Sequence, residues 1–318
     1  MAKSKIENST SRRSFLKTGL LAGAGTLLTG GIVSAFNATA TGETVKLLAQ
    51  NGEIVEVDKA HVKNVGAKTE ELLQKLGREG ITGKKWVMVI DLGKCKNDQR
   101  CMAACQDEHQ LWTSKDGNGD KTQNHMQVLE MKRESGAGFF MPKPCQHCDN
   151  PPCTKVCPVD ATFKRQDGIV LIDNERCIGC RFCIAACPYS ARVFNWNEPK
   201  EVPKQHEGKP YNIELNVPQK RGTISKCLFS ADKLREGRLP SCVQACGNGV
   251  YWFGDKNEDA VTNGTTKETV RLSTLLEENA AYTLLPELGT HPSVYYLPER
   301  NRQFPFKSAK TEVVEQHH

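Results

Sequence analysis

Fourteen cysteines stand in this chain, and their spacing sets out the chemistry it could do. They fall into four groups. The third, Cys177, Cys180, Cys183 and Cys187 in ERCIGCRFCIAACP, has the C-x2-C-x2-C-x3-C-P form of a bacterial ferredoxin run. In such a run three close thiolates face one iron–sulfur cubane. The fourth, on the short helix that follows, points to the neighbouring cluster, and the proline (Pro188) turns the chain. The second group, Cys145, Cys148, Cys153 and Cys157, is a C-x2-C-x4-C-x3-C-P variant ending at Pro158. The two are expected to exchange their last cysteines. Cluster B would then take Cys145, Cys148, Cys153 and Cys187, and cluster C would take Cys177, Cys180, Cys183 and Cys157, both as all-thiolate 4Fe–4S. Structural zinc is the rival for such cysteines, but zinc sites use two C-x2-C pairs set apart by a spacer. Three cysteines inside seven residues do not suit one tetrahedral ion.

The outer groups follow the same register with one thiolate missing from each. Group one is Cys95, Asp98, Cys101 and Cys105; group four is Cys227, Ser230, Cys242 and Cys246. Paired in the same way, cluster A would use Cys95, Asp98, Cys101 and Cys246. Cluster D would use Cys227, Ser230, Cys242 and Cys105. No cysteine is left over to fill either gap. For Asp98 three readings stay open: a carboxylate ligand to iron, an empty corner giving 3Fe–4S, or a solvated side chain with cluster A absent. A carboxylate is a workable but harder ligand than iron–sulfur chemistry prefers. Ser230 is a poorer ligand, because a hydroxyl must lose a proton to bind well; cluster D leans to 3Fe–4S, and both ligation by Ser230 and a plain loop serine beside a 3Fe–4S or missing cluster stay open. Lys94, Lys96 and Arg100 flank group one. They either raise a cluster potential or form a solvated surface. His147 and Asp149 lie inside a complete cysteine set, so His147 is read as structural or hydrogen-bonding. His109 and His125 have no partner motif. Trp86, Trp112, Trp196 and Trp252 are read as packing residues.

These groups need elements to hold them. The last cysteine of each group and the first of the next are 40, 20 and 40 positions apart, a symmetry that suggests a duplicated two-motif unit with insertions. KWVMVIDLGKC (Lys85 to Cys95) reads as a strand running into group one. MQVLEMK (Met126 to Lys132) also reads as a strand. SKDGNGDKTQNH (Ser114 to His125) and EPKEVPKQHEGKP (Glu198 to Pro210) read as loops. VKLLAQNGEIVEVD (Val45 to Asp58) alternates around Asn51-Gly52, a hairpin signal, and Lys68 to Gly80 has helical spacing. A helix is expected around Arg271 to Asn279.

The N-terminus reads as an address. SRRSFLK (Ser11 to Lys17) sets paired arginines before an uncharged run, Gly19 to Phe36, followed by Ala38-Thr39-Ala40. This is the pattern of a twin-arginine (Tat) export signal cleaved after Ala40. The run has 18 residues, five of them glycine, which makes it a poor membrane span. The Tat route carries folded, cofactor-loaded proteins, whereas disulfides form after export. The signal therefore weighs toward a metal cofactor over a disulfide scaffold. The rest is ordinary: 318 residues, 38% hydrophobic, 25% charged, net charge +6. No basic run interleaved with aromatics points to nucleic acid, and no nucleophile–base set or phosphate loop points to an enzyme acting alone.

Together, the four groups, the export signal and LPELGTHPSVYYLPER (Leu285 to Arg300) resemble one family. It is the four-cluster iron–sulfur subunit of membrane-bound respiratory oxidoreductases of the dimethyl-sulfoxide, polysulfide and tetrathionate reductase type. The resemblance spans roughly Trp86 to Arg300, departs at Asp98 and Ser230, and has the outer cluster pair lying toward the catalytic subunit. It implies an α+β fold of two ferredoxin-like dicluster modules with long insertions, small sheets and short helices around the clusters. The implied layout is a signal at 1–40, an N-terminal extension at 41–85, a four-cluster domain at 86–250 and a docking tail at 251–318. It further implies single-electron relay between a quinone-reactive integral membrane subunit and a catalytic, molybdopterin subunit, on the periplasmic or outer face of the cytoplasmic membrane. Two alternatives stay open: a sulfite-reduction-associated or hydrogenase-type complex without molybdopterin, and a soluble polyferredoxin-like carrier.

Overall fold

The computed structural model describes residues 44–48, 54–58, 72, 74–109, 111, 113–115, 120–132, 138–197 and 210–299. The export signal, the insertion at 198–209, Trp112 and the last nineteen positions lie outside them. The chain divides into two units, residues 1–73 and 74–318. In the first, β1 (Thr44–Leu48) and β2 (Ile54–Asp58) pair antiparallel, Thr44 opposite Asp58.

The second unit is a mixed α+β assembly of small sheets. After a helical stretch at 74–79 comes β3 (Trp86–Asp91), the strand that leads to group one. It belongs to a sheet of five, in the order β14-β13-β12-β3-β15. The others are β12 (Tyr251–Asp255), β13 (Ala260–Asn263), β14 (Thr269–Arg271) and β15 (Val294–Leu297). β12 runs antiparallel to β3, and β15 runs parallel to it. The chain after 250 thus supplies four of the five strands. The remaining sheets are two-stranded: β4 (Thr113–Lys115) with β5 (Asp120–Thr122), β6 (Gln127–Met131) with β7 (Phe139–Lys143), β8 (Thr162–Lys164) with β9 (Val170–Ile172), and β10 (Arg192–Phe194) with β11 (Ile224–Lys226). The β4–β5 pair corrects the reading of 114–125 as loop. Its Gly/Asn/Asp stretch is bounded by Thr, Ser and Lys, residues that a short hairpin accepts. The expected C-terminal helix is Leu272–Glu278.

Side-chain alternation along β3 builds two cores. Val87 and Val89 pack with Trp252, Val261, Leu272 and Leu297. Met88 and Ile90 face the larger core, which holds Tyr251, Phe253 and Phe229 together with Cys95, Cys101, Cys145, Cys227 and Cys242. A third core gathers Cys153 and Cys183 with Val170, Ile172 and Ile224. The cysteines are therefore structural members of the cores. Among the described residues no helix is long and apolar enough to cross a membrane.

One buried ion network braces the unit. The Arg165 and Asp167 side chains are fully buried and paired, and Arg165 Nη1 also meets Glu214 Oε1 at 2.5 Å and the Gly77 carbonyl at 3.2 Å. Arg235 joins through Glu214 at 2.9 Å. Removing one partner strands a buried charge, which typically costs about 3–5 kcal/mol. Arg165→Ala is therefore expected to lower stability by that order, read from denaturant unfolding of the intact protein.

Candidate metal centres

Each cysteine group is wound by the same local device. The residue two positions after the first cysteine has positive φ in all four: Asn97 (63°), His147 (41°), Gly179 (69°) and Phe229 (55°). Only one is glycine; a non-glycine residue there holds strain of order 1–3 kcal/mol. The turn places backbone N–H groups beside sulfur, and those of Asn97 and Phe229 favour the charged forms of Cys95 and Cys227. A second regularity follows the last cysteines: Asp160, Ser190 and Gly249, each three positions on, also have positive φ. Groups two and three carry helices of four residues, Pro152–Lys155 and Phe182–Ala185, before Cys157 and Cys187. Group one continues into a longer helix, Arg100–His109, and Ser241–Ala245 precedes Cys246.

These turns gather side chains remote in sequence. Cys95, Asp98, Cys101 and Cys246 line one hollow. Cys145, Cys148, Cys153 and Cys187 line another. Cys157, Cys177, Cys180 and Cys183 line a third. Cys105, Cys227 and Cys242 are buried near enough that each thiolate would disfavour the charge of its neighbours. The sets also adjoin one another. Cys101 and Cys105 share one helix, Cys145 shares a core with Cys227 and Cys242, and Cys153 shares another with Cys183.

The two oxygen positions differ. Asp98 is exposed at the rim of the first hollow, and Asn248 Nδ2 donates to its Oδ2 at 2.7 Å. Ser230 is buried with φ 47°, and its Oγ accepts the Ser241 N–H at 3.1 Å. Lys94 pairs with Asp91 at 3.4 Å.

The donor chemistry fits iron–sulfur clusters. All fourteen cysteines are free thiols, which excludes a disulfide framework in this structure. Burial pushes Cys95 up to about 11, with Cys101, Cys246 and Asp98 adding to the rise. Burial and then Cys145 push Cys148 to about 12, and burial and Cys145 push Cys227 to about 11. Such crowded thiols ionise only with a cationic metal centre to hold them. Two buried basic side chains complete the picture; burial lowers the pKa of Lys226, and the charges of Cys145 and Cys227 would raise it again. Arg192 and Lys226 are 5% and 0% exposed and lie directly opposite each other across β10 and β11. Like charges so placed repel, and neither meets a carboxylate among the described residues. Arg192 Nη2 instead donates to Cys153 Sγ at 3.0 Å. Anionic clusters are the partners such a pair needs.

Sequence reading passed over several residues beside these sulfurs. Arg192 and Lys226 look like ordinary solvated charges until β10 and β11 are paired. Tyr251, fully buried, donates its hydroxyl to Met126 Sδ at 4.0 Å, and the charges of Cys101 and Cys242 would add to the rise that burial gives its pKa. His109 and His125 have ring nitrogens within 4.8 Å of Cys105 Sγ. Both are held neutral by burial, with His109 Nδ1 on the Leu215 carbonyl at 2.9 Å and His125 Nε2 on Ser225 Oγ at 2.9 Å. No spacing signal links them to group one. His147 stacks on Phe229 at 3.8 Å and accepts the Val170 N–H at 3.1 Å. Asp149 meets Lys85 at 2.5 Å and Lys164 at 2.8 Å; burial pushes its carboxyl up, and the two lysines outweigh burial and hold it low. Trp86 stacks on Phe253 and Trp252 lies in the second core, whereas Trp196 is exposed beneath the Arg181 guanidinium.

Comparison with known proteins gives these groups a family. Residues 137–202 match the family described as 4Fe-4S dicluster domain. The chain is similar to a subunit of the selenate reductase of Mesobacillus selenatarsenatis, at 35% identity over 316 residues that cover 92% of this chain and 99% of the relative. It is 38% identical to the iron-sulfur subunit of the putative dimethyl sulfoxide reductase of Halobacterium salinarum, over 71% of this chain and 84% of that one. It is 37% identical to a subunit of the tetrathionate reductase of Salmonella typhimurium, over 69% and 74%. With this reach, and with cysteines gathered as an electron carrier requires, the chain belongs to the family of iron–sulfur subunits of selenate-, dimethyl-sulfoxide- and tetrathionate-reductase-type complexes, the electron-transfer and not the catalytic subunits.

Proposed function

We propose that this chain relays single electrons along four clusters in the order A, D, B, C, between a molybdopterin catalytic subunit and a quinone-reactive membrane subunit. The observation that carries the reading is the gathering of the cysteine groups into four adjoining sets. In this reading the ligands are Cys95, Asp98, Cys101 and Cys246 for A, and Cys145, Cys148, Cys153 and Cys187 for B. Cluster C takes Cys177, Cys180, Cys183 and Cys157, and D takes Cys227, Cys242 and Cys105 with Ser230 beside it. Groups one and four form one ferredoxin-like module and groups two and three the other. When bound, the clusters supply one-electron chemistry. The chain's own residues hold them apart from water, turn backbone N–H groups onto their thiolates and set buried charge beside them. The first forty residues would send the loaded protein out by the Tat route, with 41–85 as an extension, 86–250 carrying the clusters and exposed parts of 251–318 used for docking at the outer face of the membrane.

The two oxygen positions divide the outer clusters. Asp98 has an oxygen not engaged by Asn248 and acts as the fourth ligand of a 4Fe–4S cluster A. Ser230 Oγ already accepts the Ser241 N–H and must also lose its proton to bind iron well, so D is read as a three-thiolate 3Fe–4S cluster. The test is EPR on anaerobically purified protein, with iron and acid-labile sulfide counted. The oxidised protein is expected to show one 3Fe–4S signal. Ser230→Cys is expected to remove that signal and add iron, and Asp98→Cys to leave it in place. Absence of any oxidised 3Fe–4S signal would refute the assignment at D. Iron too low for cubanes at B and C would refute the four-cluster reading itself.

A further inference from the structure

The Arg192–Lys226 pair remains to be explained. A two-stranded ladder of three residues a side gains little from holding two buried cations opposite each other. The residues around them are cluster ligands. Arg192 Nη2 donates to Cys153 Sγ at 3.0 Å and Nη1 to Thr162 Oγ1 at 3.1 Å. Lys226 Nζ donates to the Cys227 carbonyl at 2.7 Å and to the Val170 carbonyl. The fields of the two cations divide unevenly. Arg192 borders the hollow of Cys145, Cys148, Cys153 and Cys187 and, through Thr162, the hollow of Cys157, Cys177, Cys180 and Cys183. Lys226 reaches the first of these hollows through Val170 and lies next to Cys227. In the ligand sets above, Cys145 and Cys153 belong to B, Cys183 to C and Cys227 to D. Cluster B thus receives both fields, while C receives one and D the other. Positive charge near a cluster, and hydrogen bonds to its sulfurs, favour the reduced form.

We propose that the cross-strand pair Arg192–Lys226 is a positioning device for electron transfer that raises the reduction potential of cluster B from both sides, Arg192 sharing its effect with cluster C and Lys226 with cluster D. The inference rests on the proposed ligand sets. Its physical content is a pattern: one ladder, two charges and three clusters, with B common to both.

The experiment is an EPR-monitored redox titration of the full-length protein purified with its partner subunits. Cys153→Ser identifies the signal of B. Arg192→Gln is expected to lower the midpoints of B and C and leave D unmoved. Lys226→Gln is expected to lower those of B and D and leave C unmoved. Arg192→Lys keeps the charge and should hold B and C near their wild-type midpoints. Equal shifts of every cluster in both Gln variants, no shift at B, or an Arg192→Lys protein that behaves like Arg192→Gln would each overturn the proposal. If Arg192→Gln fails to assemble B, Arg192→Lys decides: B retained at its wild-type midpoint supports the charge role, and B lost overturns it. Failure of the ligand sets shows separately, as a Cys153→Ser protein in which no cluster signal changes from wild type.

Discussion

Stripping iron and sulfide from the intact protein, with a chelator under reducing conditions, is expected to melt the cysteine-bearing part and spare the five-stranded sheet longest. The difference lies in what each region has besides thiols. The β8–β9 and β10–β11 pairs are hairpins of three residues a side, and isolated two-stranded ribbons are at best marginal in water. Their core holds Cys153 and Cys183 with three aliphatic side chains. Without clusters, the cations Arg192 and Lys226 lose their anionic partners, and an uncompensated buried charge is strongly destabilising. Folding of this part is thus metal binding in large measure. The core of Val87, Val89, Trp252, Val261 and Leu272 uses no cysteine. Amide exchange on stripped protein should show protection lost at 162–172 and 192–194 and lingering at 86–91 and 251–255. Uniform protection after complete iron loss would show that the clusters do not act as cross-links.

The second large effect is expected at Gly179. Its φ of +69° lies in the left-handed region, but strain alone does not explain a glycine there. Asn97, His147 and Phe229 hold the equivalent turn with ordinary side chains. What differs is space. A β-carbon on Gly179 would stand 2.1 Å from the Gly222 carbonyl oxygen and 3.2 Å from the Phe194 ring. Gly179→Ala adds left-handed strain of about 1–2 kcal/mol and forces backbone apart, at a further cost of about 1–3 kcal/mol for an overfilled site. The Cys177–Cys180 turn must move, so cluster C is expected to be lost while B retains its iron. Gly237→Ala is the control, because its φ is +71° and a β-carbon there meets nothing within 4 Å. It should cost only the backbone strain. Iron counts and the EPR signal of C separate the two variants, and equal behaviour would refute the steric argument.

The contrast at Gly179 shows where sequence reading stops. Cysteine spacing carried the groups, their Cys-Pro exits and the chemistry, because a ligand run is local and leaves its period in the chain. The strand before group one was legible from its apolar run for the same reason. The five-stranded sheet was not. Its β15 pairs with β3 across most of the chain, and nothing local in VYYL names that partner. Lys226, next to Cys227, reads as a solvated lysine until β10 lies against β11. His109 and His125 come to Cys105 only through the fold. Asp98 and Ser230 occupy the same place in their runs, but one ends exposed beside Asn248 and the other buried under Ser241.

The hollow shared by Cys95 and Cys246 also has a consequence in time. Chains grow from the N-terminus, so with the proposed ligand sets B and C would be complete once Cys187 has left the ribosome. Those proposed for A and D would each wait for group four: Cys95, Cys101 and Cys105 are among the first cysteines made, and Cys246 is the last. On that assignment, cluster loading of the outer pair belongs to the finished polypeptide, and a chain ending before residue 227 would keep the two inner sets and carry no complete outer one.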